Sequence, residues 1–194
     1  MSVFNRLSDV SRKKFVVLID PDKPTDEQII EIVEKSKKVG VDFFFVGGSL
    51  LLTDSLDHCI KLIKQHCDIP VLIFPGDSLQ ISKWCDGFLL LSLISGRNSE
   101  MLIGRHVVAA PYLKLYGNEI IPTGYMLVAP FSPEFWPGRR GRPTSFFQFP
   151  LEQPSVLQNF HALFVSGSND GRTVLHLFGR VGSHDSGAVD ILVF

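Results

Sequence analysis

The stretch "FVVLIDPDKPTDEQIIEIVEKSKKVGVDFFFVGGSLLLTDS", which starts at Phe15, sets two apolar runs of strand length on either side of a helix. Each run ends in small polar residues, Asp-Pro-Asp after the first and Gly-Gly-Ser after the second. Residues 15 to 19 are continuously apolar and rich in branched side chains, as expected of a strand covered on both faces. The helix that follows is marked at both ends. Thr25 and Gln28 have capping-box spacing, and Asp26 and Glu27 put negative charge at the positive end of the helix dipole. Lys37 and Lys38 lie in the last turn, and Gly40 is the stop.

The unit repeats along the chain. A strand is expected at 42 to 46, a helix near Ser55 to His66, a strand from Pro70 to Phe74, a short connection, and a strand from Gly87 to Leu91. A long helix is expected over Ser99 to Tyr116, weakened or kinked by Gly104 and Pro111. A further strand lies in "EIIPTGYMLV" and ends at Val128. Strand alternating with helix predicts an α/β fold with a parallel sheet and right-handed crossovers, either doubly wound or a barrel of the triosephosphate isomerase type. In both, ligands bind at the carboxyl ends of the strands.

The polar residues gather at those ends: Asp20 and Asp22, then Gly47 to Ser49, then Pro75 to Asp77, then Ser92 with Ser95 to Asn98. Carboxylate and hydroxyl oxygens are hard ligands suited to magnesium, which keeps several waters and commonly adds substrate phosphate to one or two protein oxygens. Adjacent strands lie about 4.8 Å apart, so Asp20 and Ser49 can reach one ion between them. Asp-Pro-Asp is equally a good turn former, and Gly47 to Ser49 equally a plain strand-to-helix loop. Phe43, Phe44 and Phe45 alternate between faces; they pack a core or line a pocket for a long apolar substrate. Lys23 and Arg97 are able to meet an anion or to stand as solvated surface charge. His58, His66 and His106 form no pattern of ligands or bases.

A formal charge of -1 and a pI near 6.6 supply no basic stripe for a phosphate backbone, which argues against nucleic-acid binding. Cys59, Cys67 and Cys85 are odd in number and lack metal-type spacing, so reduced thiols in a cytoplasmic protein are expected. The N-terminus has no signal-peptide pattern, and no apolar run is long enough for a transmembrane segment.

Six blocks in order carry a resemblance: "LIDPDK" at 18 to 23, "VGGS" at 46 to 49, "IFPG" at 73 to 76, "LSLISGRN" at 91 to 98, "LIGRHVVAAP" at 102 to 111 and "IIPTGYMLV" at 120 to 128. Over residues 10 to 128 the chain resembles the geranylgeranylglyceryl phosphate synthase family of the archaeal and Bacteroidetes-like group. The resemblance implies a modified (β/α)8 barrel, present here as about five βα units over residues 1 to 128. It implies a cytoplasmic prenyltransferase of ether phospholipid biosynthesis. This would use magnesium to move a geranylgeranyl group from geranylgeranyl diphosphate to the 3-hydroxyl of sn-glycerol 1-phosphate. Carried over by motif, the metal ligands are Asp20 and Ser49, and Tyr125 lines the prenyl path. Family members usually self-associate, which implies a homo-oligomer. A relative that transfers a heptaprenyl chain is the alternative within the family. A sugar-phosphate isomerase or lyase would want a lysine or glutamate pair at the strand ends, and none is present.

After Val128 the resemblance stops. The family pattern would continue with a Tyr-Leu-Glu-Ala-Gly-Ser-Gly-like segment and two glycine-containing segments that hold the glycerol phosphate, and residues 129 to 194 contain none of them. Residue usage changes at the same point. All ten lysines lie at or before Lys114, nine of the sixteen phenylalanines lie beyond Val128, and Ile191 is the sole isoleucine there. "VSGSNDG" at 165 to 171 reads as a loop. A shifted reading frame or a fused unrelated end is expected, leaving an atypical, disordered tail and an inactive half-barrel with two open sheet edges.

Overall fold

A computed structural model describes residues 2–9, 11–48, 55–93, 98–128, 160–166, 173–179 and 189–193. The chain runs through α1 (Val3–Ser8), β1 (Phe15–Ile19), α2 (Asp26–Val39), β2 (Phe43–Val46), α3 (Leu56–His66), β3 (Val71–Ile73) and β4 (Gly87–Leu93). A 3-10 turn (Ser99–Met101) and α4 (Gly104–Tyr116) lead to β5 (Glu119–Val128), and β6 (Phe160–Ser166), β7 (Thr173–Gly179) and β8 (Val189–Val193) follow. The eight strands lie in one sheet in the order β7-β6-β5-β4-β3-β2-β1-β8. From β1 to β5 every pairing is parallel. The expected α/β class with a parallel sheet is therefore present, as five parallel strands with α2, α3 and α4 following β1, β2 and β4.

Strand alternation splits the core in two. Val17, Ile19, Phe44, Val46 and Phe88 point outward, where Ile29 and Val33 of α2 and Ile60 and Ile63 of α3 cover them. Val16, Phe43, Phe45, Leu72, Leu89 and Ile121 point to the other face and pack with one another. Leu7 of α1 joins this inner cluster at the amino ends of the strands. The helix is fixed there by Glu119, whose carboxylate accepts the Val3 N–H at 2.8 Å and the Phe4 N–H at 3.0 Å.

Three expectations need correction. The long helix over Ser99 to Tyr116 is two elements, because the 3-10 turn ends at Met101 and α4 restarts at Gly104; Pro111 is accommodated inside α4. The second strand starts at Phe43, one residue late, because the Asp42 carboxylate is turned back to accept the Phe15 N–H at 2.9 Å. The terminal strands of the sheet are β7 and β8, not β5 and β1. β8 pairs antiparallel with β1, β6 pairs antiparallel with β5, and β7 extends from β6, so the edge N–H and C=O groups of β1 and β5 find partners. Of the stretch read as a loop, Val165 and Ser166 belong to β6, and the rest lies outside the described residues.

Asp42 is the polar lock at the amino end of β2, only 8% exposed, with Arg12 bonded to both of its oxygens. Burial pushes its carboxyl up, but the Arg12 guanidinium and the Phe15 N–H together outweigh burial and hold it below its ordinary value of 3.8. Its folded-state value is depressed, so its contribution to stability is present above 3.8 and is lost as the pH falls through the lowered folded value. Asp42→Asn should therefore be less stable than wild type at neutral pH and lose less stability in acid, as read by urea denaturation under both conditions.

Candidate functional site

Asp20 is the residue that follows β1, and the alternation that turns Val16 and Leu18 inward turns position 20 the same way. Its side chain is 22% exposed, with Oδ2 3.0 Å from the Lys23 ammonium. Oδ1 accepts the Asp22 N–H at 3.4 Å, and the Asp20 carbonyl accepts the Lys23 N–H at 3.2 Å. The two readings of Asp-Pro-Asp thus coincide. The segment is a turn, and the turn presents a carboxylate at the strand ends.

The end of β2 comes up against it. The Gly47 N–H donates to the Ile19 carbonyl at 3.1 Å, and on the other side the Phe74 N–H donates to the Val46 carbonyl at 3.0 Å. Gly47 is required by close approach to main chain, and at Gly48 a side chain would push the Asp20 carboxylate aside. A Cβ on Gly47 would overlap the Phe74 carbonyl oxygen, and one on Gly48 would sit 2.8 Å from Asp20 Oδ1. Ser49 lies outside the described residues, as do Ser95 to Arg97. What is described is the approach to position 49: Gly48 faces Asp20, and at the far end of the 49–54 segment the Ser55 hydroxyl bonds to the Asp22 carboxylate. Asn98, also considered at this rim, caps the 3-10 turn by accepting the Glu100 N–H at 3.1 Å.

The wall beside this rim is aromatic. Phe45 stacks on Phe74 with ring centroids 6.1 Å apart, and Tyr125 meets Phe74 edge-on at 5.9 Å. Phe43 and Phe45 lie in the inner cluster and Phe44 in the outer one, so all three are core residues. Burial alone pushes the Tyr125 phenol up to about 12, so it stays neutral. His58 bonds to Asp26 at 2.8 Å and His106 to the Leu91 carbonyl at 2.8 Å, which ties helices in place.

Sequence reasoning missed three residues that organise this end. Ser55 anchors Asp22. Gln80 bridges Gly48 and Gly76. Arg105, in the first turn of α4, donates to the Gly76 carbonyl at 3.1 Å and pairs with Asp77 at 3.0 Å. The available signal for Gln80 was a polar residue between Leu79 and Ile81; it does not reveal the partners.

The donor chemistry fits magnesium bound with a phosphate ligand. Among the described residues no group of three or more His, Cys, Asp or Glu side chains is placed to hold a metal unaided. A cation here would take the Asp20 carboxylate, with its remaining positions filled by water and ligand oxygens, a mode that magnesium favours.

Comparison with known proteins places these features in a family. The chain is 50% identical over 116 residues to the geranylgeranylglyceryl phosphate synthase of Chitinophaga pinensis, covering 60% of this chain and 46% of that protein. It is 35% identical over 140 residues to the synthase of that name from Methanosphaera stadtmanae, covering 71% and 58%. The wild-type GGGPS structure from Thermoplasma volcanium matches with a TM-score of 0.60 and 29% identity, over 65% of this chain and 52% of that one. The crystal structure of (S)-3-O-geranylgeranylglyceryl phosphate synthase from Thermoplasma acidophilum, in complex with its substrate sn-glycerol-1-phosphate, matches with a TM-score of 0.59 and 36% identity, over the same shares. The chain spans about half the length of the relatives it matches. The PcrB family pattern covers residues 8–136, eight residues past the point where the motif blocks end, and by that match the chain belongs to the PcrB family.

Proposed function

We propose that this rim serves magnesium-dependent transfer of a geranylgeranyl group from geranylgeranyl diphosphate to the 3-hydroxyl of sn-glycerol 1-phosphate, giving geranylgeranylglyceryl phosphate. The observation that carries it is the inward Asp20 carboxylate held against the bare main chain of Gly48 at the carboxyl ends of β1 and β2. Asp20, with Ser49 as the resemblance implies, would hold the cation. Magnesium bound there would neutralise charge on the departing diphosphate. In the transfer a bond forms between the glycerol 3-oxygen and the allylic carbon, the bond from that carbon to the diphosphate oxygen breaks with its electron pair, and the hydroxyl proton passes to water. Phe74 and Tyr125, backed by the buried Phe45, offer an apolar wall that keeps water from the prenyl chain, which is the role proposed for Tyr125.

The relatives named above support the assignment, and the Thermoplasma acidophilum complex supports the acceptor. No helix among the described residues is long and apolar enough to cross a membrane. We assign the reaction to the cytoplasm on the free cysteines, of which Cys59 and Cys85 are buried. Self-association is part of this reading, supported by Ile103, Val107 and Leu115, which stand exposed along α4 and just before it.

A second reading has its own support. β6 runs antiparallel to β5, where a (β/α)8 barrel would have a parallel strand, and the family's glycerol-phosphate segments are missing beyond Val128. On this reading residues 1 to 128 form the donor side, residues 129 to 194 are of separate or frame-shifted origin, and the chain binds the diphosphate without transferring it.

Geranylgeranyl diphosphate titrated with and without magnesium should bind wild type in a magnesium-dependent way, and Asp20→Ala should weaken this by about a hundredfold, as loss of a charged ligand group implies. Equal binding by the two proteins would remove the metal-side assignment. Turnover of labelled sn-glycerol 1-phosphate by wild type separates transfer from binding alone. Tyr125→Ala should weaken the geranylgeranyl donor by about tenfold while barely changing inorganic diphosphate affinity, because only apolar contact is lost.

A further inference from the structure

We propose that Gln80 is a positioning residue that sets the Gly47–Gly48 segment opposite Asp20; this rests on the magnesium and diphosphate reading above. Gln80 is only 7% exposed, and its carboxamide uses its donor and its acceptor at once. Nε2 donates to the Gly48 carbonyl at 3.0 Å, and Oε1 accepts the Gly76 N–H at 2.8 Å. The two partners lie beyond the carboxyl ends of the neighbouring strands β2 and β3. One side chain thus sets the distance between two strand ends.

The base from which Gln80 reaches is itself rigid. Its N–H donates to the Asp77 carbonyl at 3.1 Å, and the Asp77 carboxylate accepts the Leu79 N–H at 3.1 Å. Arg105 pins the same turn to α4 through Gly76 and Asp77. Gly48 is therefore held between two side chains, with Gln80 on its carbonyl and Asp20 where a Cβ would be. Lys23, already paired with Asp20, acts on the carboxylate; Gln80 acts on the main chain facing it.

The requirement is for a carboxamide in particular. In Gln80→Glu the Gly76 bond survives, and a carboxylate oxygen is set against the Gly48 carbonyl. In Gln80→Met the length is kept and both bonds are lost. The two hydrogen bonds of Gln80 go to Gly48 and Gly76 and not to an aromatic side chain, so a change there should appear in metal dependence before it appears in affinity for the prenyl chain.

The test is a magnesium titration of geranylgeranyl diphosphate binding to wild type, Asp20→Ala, Gln80→Glu and Gln80→Met, with a thermal melt and amide hydrogen exchange on each. The magnesium midpoint should rise about tenfold in both Gln80 variants, the order expected for one lost hydrogen bond to a buried group. The melting transition should stay cooperative and close to wild type. The Gly76 amide should exchange faster in Gln80→Met and as in wild type in Gln80→Glu. If Asp20→Ala weakens magnesium-dependent binding while both Gln80 variants keep the wild-type midpoint, the inference about Gln80 fails and the metal-side reading stands. If Asp20→Ala also binds as wild type, or wild-type binding ignores magnesium, the reading fails and the inference with it. A midpoint that rises only in step with a lowered melting temperature would make Gln80 a stabilising residue and overturn its positioning role.

Discussion

Parallel pairing sets Ile19 beside Val46, and the geometry at the carboxyl end of the sheet follows from that register. A shift by one residue would turn Asp20 toward the helices and bring Val17 and Ile19 inward, exchanging the two core faces. The register is enforced from both sides. Large side chains are fully buried on each face of β2, with Phe43 and Phe45 inside and Phe44 outside, so no slip leaves the aromatic rings covered. Truncating a buried phenylalanine of this kind commonly costs about 3–5 kcal/mol, far more than any single contact at the rim. The precision of the rim is thus inherited from packing below it.

Above that foundation the polar residues act as ties between consecutive crossings. Ser55 joins the start of α3 to the turn after β1, Gln80 joins the ends of β2 and β3, and Arg105 joins α4 to the turn after β3. Each tie links neighbouring strand-and-connection units, and together they lie at the carboxyl ends of the parallel strands. Such a chain of short links lets a carboxylate on one strand and a carbonyl on the next hold a fixed separation, although both sit on connecting segments.

Much of the fold was legible because its signals are local. The Thr25 and Gln28 capping box forms as spaced, with both of its bonds made, and Gly40 adopts the left-handed conformation that ends α2. The inward position of Asp20 follows from alternation along five residues. What was hidden depends on distant partners. α1 is six residues long and held by Glu119, and its local sign is slight, a Ser2 hydroxyl that accepts the Asn5 N–H at 3.1 Å. Gln80 has its meaning only once Gly48 and Gly76 are brought together. For β6 and β7 the signal was present, since "FHALFVS" and "TVLHLFG" are rich in residues that favour strands, but the abrupt change in residue usage drew the reading elsewhere. Asp20 was reached both from strand ends and from resemblance, and the backbone of Gly48 rather than its missing side chain turned out to be its neighbour.

The seating of α1 on Glu119 has a consequence for biosynthesis. Val3 and Phe4 leave the ribosome well before Glu119, because the carboxylate that anchors their helix is made 115 to 116 residues later. Through most of translation these apolar side chains have no floor to close and stay open to chaperones or to neighbouring nascent chains. A segment made early is in this sense among the last to find its place.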